Sequence, residues 1–272
     1  MKTLFILVLS LTGFFSSGSF AGVLDKTDAA RENLLGPVKN VHVEISKITK
    51  VDGKWVEGAP MPWLSTTYNP QGQRIEEVQI YTNPALDFTS IFTRDMRGLL
   101  KEGIEYDANR NTAFKWTYSH DATFSHIEEN RVQPDGTFFS KTTYDYDTAG
   151  NLEEENRYPP HAQNHFKWIY RYDNAGRRIE ESHYLVRSGI QPGRTGKSLN
   201  SKRVFTYDRE GRLSQETRYN GAGEIVSVKK YQYTFDKAGN WISQTALESL
   251  KSPGELPLVP TEVTHRKITY HP

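Results

Sequence analysis

The sequence predicts an all-β protein: an antiparallel meander of hairpins, twisted into an open roll or partial barrel, with a short N-terminal helix. Three observations predict it. A five-residue turn recurs along the chain, clearest as Tyr207-Asp208-Arg209-Glu210-Gly211. Side chains on either side of the turns alternate with the period of a strand that has two unlike faces. Aromatic residues are abundant, with 15 Tyr, 13 Phe and 5 Trp, and there is no cysteine, so cohesion must come from packing and the β ladder.

The chain starts with Met1-Lys2, the apolar run Leu4 to Leu9, and small residues ending Ser19-Phe20-Ala21. That is the pattern of a secretory leader, cut between Ala21 and Gly22. The run is broken by Ser10, Thr12 and Gly13, and a spanning helix needs roughly 20 apolar residues, so no membrane span is expected once the leader is removed. A periplasmic or secreted location follows. Loss of the leader removes Lys2 and leaves 33 basic against 33 acidic residues, a balance that argues against nucleic acid as a partner. Three segments are expected: the leader at 1–21, a helix and lead-in hairpin at 22–63, and a repeat sheet at 64–272 continuous with the lead-in.

Asp25 to Leu35 reads as a short helix capped by Asp25 or Thr27 and stopped by Gly36-Pro37. Val38 to Thr49 alternates as a strand, Asp52-Gly53 turns, and Trp55-Val56 begins the return. Pro60 and Pro62 interrupt before the repeats. In each repeat turn the aspartate accepts from a backbone N–H two residues on, and the glycine takes a positive φ. The structural turn residues are therefore Asp147 and Gly150, Asp173 and Gly176, Asp208 and Gly211, and Asp236 and Gly239. Gly72, Gly98, Gly136 and Gly223 mark further turns, and Asn111 stands in for the glycine of another.

The flanks repeat as well. Six residues before the glycine stand Phe92, Tyr144, Tyr170, Phe205 and Tyr233; two after it, Leu100, Leu152, Leu213 and Trp241; eight after it, Tyr106, Tyr158, Tyr184 and Tyr219. Equal parity predicts one aromatic and aliphatic stripe on each strand. After Gly72 and Gly176 the aliphatic residue comes one later, as Ile75 and Ile179, and a bulge there would restore the register. Gly189 to Ser198 reads as a long polar loop, Pro159-Pro160 as an opposite turn, Ser252 to Pro260 as a connection, and Thr264 to Tyr270 as the last strand.

The pattern Tyr-Asp-x-x-Gly-[Arg/Asn]-Leu, present as Tyr146 to Leu152 and Tyr207 to Leu213, resembles the Rhs/YD-repeat family. The resemblance covers roughly Thr66 to Leu247. Leu34 to Val41 looks like the lead-in of small exported bacterial members. Large members wrap a long sheet around a toxic polypeptide; this chain is too short for such a shell and shows no toxin domain after the repeats. What the resemblance implies is the hairpin architecture and carbohydrate binding, without a defined sugar site.

No catalytic constellation stands out. Glu76-Glu77, Glu153 to Glu155 and Glu180-Glu181 read as charge on the wet face, because adjacent strand residues point to opposite sides. His161 and His165 follow Pro159-Pro160 in an expected loop, so no metal is expected, nor any cofactor. Gly196-Lys197-Ser198 lacks the first glycine and the preceding strand of a phosphate loop. The aromatic rows Trp116 and Tyr118, and Trp168, Tyr170 and Tyr172, carry the one functional reading: they stack on a ligand, or they form the core of the sheet's concave side. The expected function is a non-enzymatic binding or scaffold module for a glycan or an envelope protein. The alternatives are an envelope carbohydrate-active enzyme and a toxin-neutralising or secretion-accessory partner. Self-association through a free edge strand is a further expectation.

Overall fold

The computed structural model describes residues 27–160, 164–191, 194–249 and 257–272. The expected leader, His161 and part of the Ser252–Pro260 connection lie outside them. Helix α1 (Asp28–Arg31) is a single turn, shorter than the sequence predicts. Thr27 caps it by accepting from the Ala30 N–H at 3.2 Å. The first strands are β1 (Val38–Val51), β2 (Lys54–Glu57), β3 (Met61–Tyr68), β4 (Arg74–Gln79), β5 (Phe88–Arg94), β6 (Leu100–Tyr106), β7 (Thr112–His120) and β8 (His126–Val132). They continue as β9 (Phe138–Tyr146), β10 (Leu152–Tyr158), β11 (Asn164–Tyr172), β12 (Arg178–Gln191), β13 (Arg194–Tyr207), β14 (Leu213–Asn220), β15 (Ile225–Phe235), β16 (Trp241–Ser249) and β17 (Val259–Tyr270).

From β3 onward each strand pairs antiparallel with the next, and β1 pairs with both β3 and β17. The predicted roll therefore closes completely, as a barrel of 16 strands with β2 outside the ring. β1 makes this possible. Its stretch from Val38 to Lys47 faces β17, and its last residues run on to form a hairpin with β2. Among the described residues closure leaves neither terminal strand with a free edge, while β2, paired there with β1 alone, keeps one.

Hairpins alternate between the two ends. One end collects the turns at Gly72, Gly98, Gly150, Gly176, Gly211 and Gly239, together with α1. In the Gly211 turn, with φ of 80°, Asp208 Oδ1 accepts from the N–H groups of Glu210 at 3.1 Å and Arg212 at 2.9 Å. Asp173 does the same for Ala175 and Arg177. In the turn after β6 the positive φ falls on Arg110, at 65°, rather than on Asn111. Two further expectations change. Pro62 lies within β3, opposite a register shift in β1. Of the expected Gly189–Ser198 loop, residues 192–193 lie outside the described residues and the rest belongs to β12 and β13, with Gln191 opposite Arg194.

One device decides which side chains point inward. All six of these glycine hairpins carry a one-residue bulge just after the turn. Leu152 faces Tyr146, Glu153 is the extra residue, and Glu155 then faces Tyr144. Parity flips there, so a residue two after the glycine and one five after it share a face, whereas one eight after it does not. The expected single stripe is thus corrected: Leu152 and Leu213 point inward, and Tyr158, Tyr184 and Tyr219 outward. Ile75 and Ile179 are themselves the bulged residues, exposed at 39% and 37%, and Arg74 and Arg178 take the inward position.

Candidate functional site: the lumenal cavity

Inside the ring Leu99, Ile127, Tyr144, Tyr146, Leu152 and Tyr170 form a buried cluster against which Tyr118, Trp168 and Tyr172 pack, as the core alternative for the aromatic rows expected. A ring of this strand number is nevertheless too wide for such a cluster to fill. Other inward positions are charged. Glu155, Glu181 and Glu216, each five residues after its turn glycine, are 4%, 6% and 6% exposed. This overturns the reading of Glu155 and Glu181 as wet-face charge; their neighbours Glu154 and Glu180 do point outward. Each buried carboxylate has partners. Glu155 accepts from Arg157 Nε at 2.5 Å and the Tyr170 hydroxyl at 2.9 Å. Glu181 accepts from Arg178 at 3.1 Å and Arg203 at 2.5 Å, and Glu216 from the Tyr231 hydroxyl at 3.1 Å. Buried charge persists only when paired in this way. The recurrence of Glu at a fixed distance from the glycine was the signal in the sequence; the bulge that turns it inward was visible only at Ile75 and Ile179.

Within this lumen lies a cavity of about 370 Å³, walled by β4 to β10 and roofed by Thr27, Asp28 and Arg31 at the turn end. Phe92, Trp116, Tyr118 and Tyr144 supply its aromatic surface. Trp116 is 8% exposed, and the reason it lies so close to the wall is Gly103. A Cβ on that glycine would come within 2.2 Å of the indole Nε1. Gly103 occupies the place five after Gly98 where other repeats have glutamate, so the indole lies where the repeat is broken.

The polar groups are held in fixed pairs. Arg131 donates to Glu105 at 2.5 Å while its guanidinium lies 5.2 Å from the Trp116 ring and 4.0 Å from Phe114. Arg74 donates to Glu77 at 2.8 Å and lies 4.7 Å from the Phe92 ring. Burial alone would lower the Arg74 pKa; the surrounding Glu77, Glu32 and Asp28 outweigh it and raise it. Burial pushes the Glu129 carboxyl up, against hydrogen bonds from the Tyr118 and Tyr144 hydroxyls. Glu105 is likewise raised by burial, against the attraction of Arg131. The cavity thus offers planar donors, acceptors and flat apolar faces in a rigid frame.

The two predicted aromatic rows separate. Trp116 and Tyr118 line the cavity. Trp168, Tyr170 and Tyr172 also face inward, on β11, but in the adjoining wall. Trp168 stacks on His183 with centroids 4.5 Å apart, and the Tyr172 hydroxyl donates to the Leu152 carbonyl at 3.0 Å. His165 belongs to β11 rather than to a loop, with its ring stacked 4.6 Å from Tyr158. Among the described residues no group of three or more His, Cys, Asp and Glu is placed to hold a metal ion.

The outer face is charged along its strands. Lys141 pairs with Glu128 at 2.6 Å, Lys167 with Glu154 at 2.6 Å, and Lys267 with Glu44 at 2.8 Å. Lys197 and Lys202 lie over the outward rings of Tyr184 and Tyr219. A barrel in lipid presents an apolar band there. Among the described residues no helix is long and apolar enough to cross a membrane.

No family model matches the sequence, and no curated protein does. Solved structures do resemble the fold. A porin-like protein from Bacteroides uniformis is 11% identical, with 86% of this chain and 98% of that one covered and a TM-score of 0.47. A porin-like protein from Bacteroides vulgatus is 10% identical over 84% and 98%, with a TM-score of 0.36. The Tc holotoxin pore of Photorhabdus luminescens is 12% identical over 77% of this chain and 14% of that one, with a TM-score of 0.28. At these identities and scores each is a similarity of β architecture, and none assigns an activity.

Proposed function

We propose that the chain is an exported, non-enzymatic binding barrel of the YD-repeat kind that holds a saccharide unit in its lumenal cavity. The observation that carries this reading is the cavity itself. Its volume of about 370 Å³ falls in the range of small-molecule sites. Its wall combines flat aromatic side chains with guanidinium and carboxyl groups already fixed in place, the combination that suits a ligand with apolar ring faces and many hydroxyls. The ion-paired outer face supports a protein surrounded by water, in the periplasm or outside the cell.

The test uses the chain from Gly22 onward on an array of glycans, beside Arg131→Gln with folding checked by circular dichroism. The native protein is expected to retain a defined set of sugars, and the folded variant to lose at least tenfold in affinity, consistent with a charged hydrogen bond of about 1.5–3 kcal/mol. No retention of any glycan by the folded native chain overturns the reading. A second reading, a carbohydrate-active enzyme, draws on two carboxyls in the same cavity, Glu105 and Glu129, since glycoside hydrolysis uses a pair of them. Turnover of a retained glycan, abolished by Glu129→Gln, would favour it over simple binding.

A further inference from the structure

The cavity is roofed by a segment that the barrel holds in place: Ala29 and Leu34 are buried in one cluster with Val38, Val41 and Tyr68. A single helical turn is not stable in isolation, so α1 is held by what it touches. The Ala29 N–H donates to the Gly72 carbonyl at 2.9 Å. Glu32 accepts from the Tyr68 hydroxyl at 2.6 Å. Leu35 exchanges two hydrogen bonds with the Asn240 side chain, at 2.7 and 2.8 Å. The strongest tie is Asp28. Its Oδ2 accepts from Arg94 Nη2 at 2.5 Å and from the Arg74 backbone N–H at 2.7 Å, and its Oδ1 lies 3.7 Å from Arg31. Asp28, Arg31, Arg74 and Arg94 all line the cavity.

A carboxylate held at the edge of a cavity by one guanidinium and one backbone N–H occupies a carboxylate-binding site. Here the carboxylate belongs to the chain itself. We propose that Arg94 and the Arg74 N–H form the recognition site for the carboxylate of an acidic sugar, and that Asp28 fills it in the free protein as a tethered stand-in. An incoming uronate replaces Asp28, and the α1 roof lifts about Gly36-Pro37, where Gly36 already has a φ of 78°. The ligand then gains the ion pair that Asp28 gives up, so the exchange is nearly balanced in charge, and only an anionic sugar can make it. A neutral sugar leaves Arg94 either occupied by Asp28 or unpaired. This rests on the saccharide reading of the cavity and adds to it the ligand class and the means of admission.

The experiment titrates D-glucuronate and, separately, D-glucose into the native chain, Asp28→Asn and Arg94→Gln by calorimetry, with each fold checked by circular dichroism. A tethered competitor lowers apparent affinity by the fraction of sites it leaves open. The ratio of glucuronate to glucose affinity is therefore expected to rise about tenfold in Asp28→Asn and to collapse toward unity in Arg94→Gln. Gly72→Ala gives a second route, since a Cβ there would come within 2.8 Å of Thr27 Oγ1 and loosen the roof with Asp28 intact. It should move the ratio the same way and speed hydrogen exchange at the Ala29 N–H. Should Asp28→Asn fail to fold, the Gly72→Ala ratio decides the matter. Binding of both sugars with a ratio unchanged by Asp28→Asn or Gly72→Ala overturns the stand-in while the cavity reading stands. Binding of neither sugar to any folded form removes the uronate site, while the glycan array decides the cavity reading separately.

Discussion

At the residue scale, small departures from the repeat do most to shape the cavity. Gly103 replaces the glutamate that Glu155, Glu181 and Glu216 supply elsewhere, and the indole of Trp116 fills the gap. Gly103→Ala should destabilise the barrel by about 1–3 kcal/mol, the cost of overpacking a close contact. It should also shift the tryptophan emission, because the indole must leave the strand backbone. Urea unfolding followed by fluorescence checks both; an unchanged midpoint would mean that the indole has another place to lie. The turn aspartates act differently. Hydrogen bonds from Arg177, first its side chain and then its N–H, hold the Asp173 carboxyl below the usual range, and Asp107 is lowered by the N–H and side chain of Asn111. These groups build the turn and stand clear of the lumen. The sequence showed Asp173 plainly, since an aspartate and a glycine three apart carry the whole turn. Arg110, at a φ of 65° in the glycine position, was not legible, because nothing in its side chain favours that conformation.

At the scale of the element, the hairpin bulge is what separates a legible strand from an illegible face. Strand positions follow from alternation, but a single extra residue after the turn reverses inside and outside. That is why Tyr158 and Tyr219 lie outside and Glu155 and Glu216 inside, against simple parity. The β1–β2 hairpin is the element that stands apart. Its turn has Asp52 and Gly53 at φ of 48° and 81°, all four β2 residues are exposed, and β2 takes no part in the ring. Replacing residues 50–55 by Asn-Gly should keep the barrel folded, with a stability change within about 0.5 kcal/mol. Chemical denaturation measures this; a collapse of the cooperative transition would show that the hairpin helps to close β1 on β17, through contacts such as His265 with Glu57 at 2.6 Å.

At the scale of the whole molecule, closure bears on stability and creates the lumen that holds the proposed site. Joining β17 to β1 pairs both edges of every ring strand and converts an open sheet into a lumen. Thr264 lies midway along β17, opposite Ile45 of β1 and Gln244 of β16. Thr264→Pro deletes a backbone donor there and should cost about 1–3 kcal/mol for the carbonyl left unpaired. It should also produce species larger than those of the native chain once edges are free to pair. Sedimentation velocity beside urea unfolding reads both effects. A variant that sediments and unfolds as the native chain does would show that the ring tolerates an open seam.

By itself the sequence determined the all-β class, the antiparallel order and most of the turn positions, because each rests on local chemistry: an aspartate that accepts from its own turn, a glycine at positive φ, an alternation of side chains. Only the tertiary structure decided that the meander closes, that Glu155, Glu181 and Glu216 are buried in pairs, and that Asp28 reaches Arg94 beside Trp116. Those outcomes depend on contacts between residues far apart in the chain, such as Val41 with Ile268 and Asp28 with Arg94. They depend also on bulges whose one-residue shift leaves no mark in composition and reverses every side chain that follows.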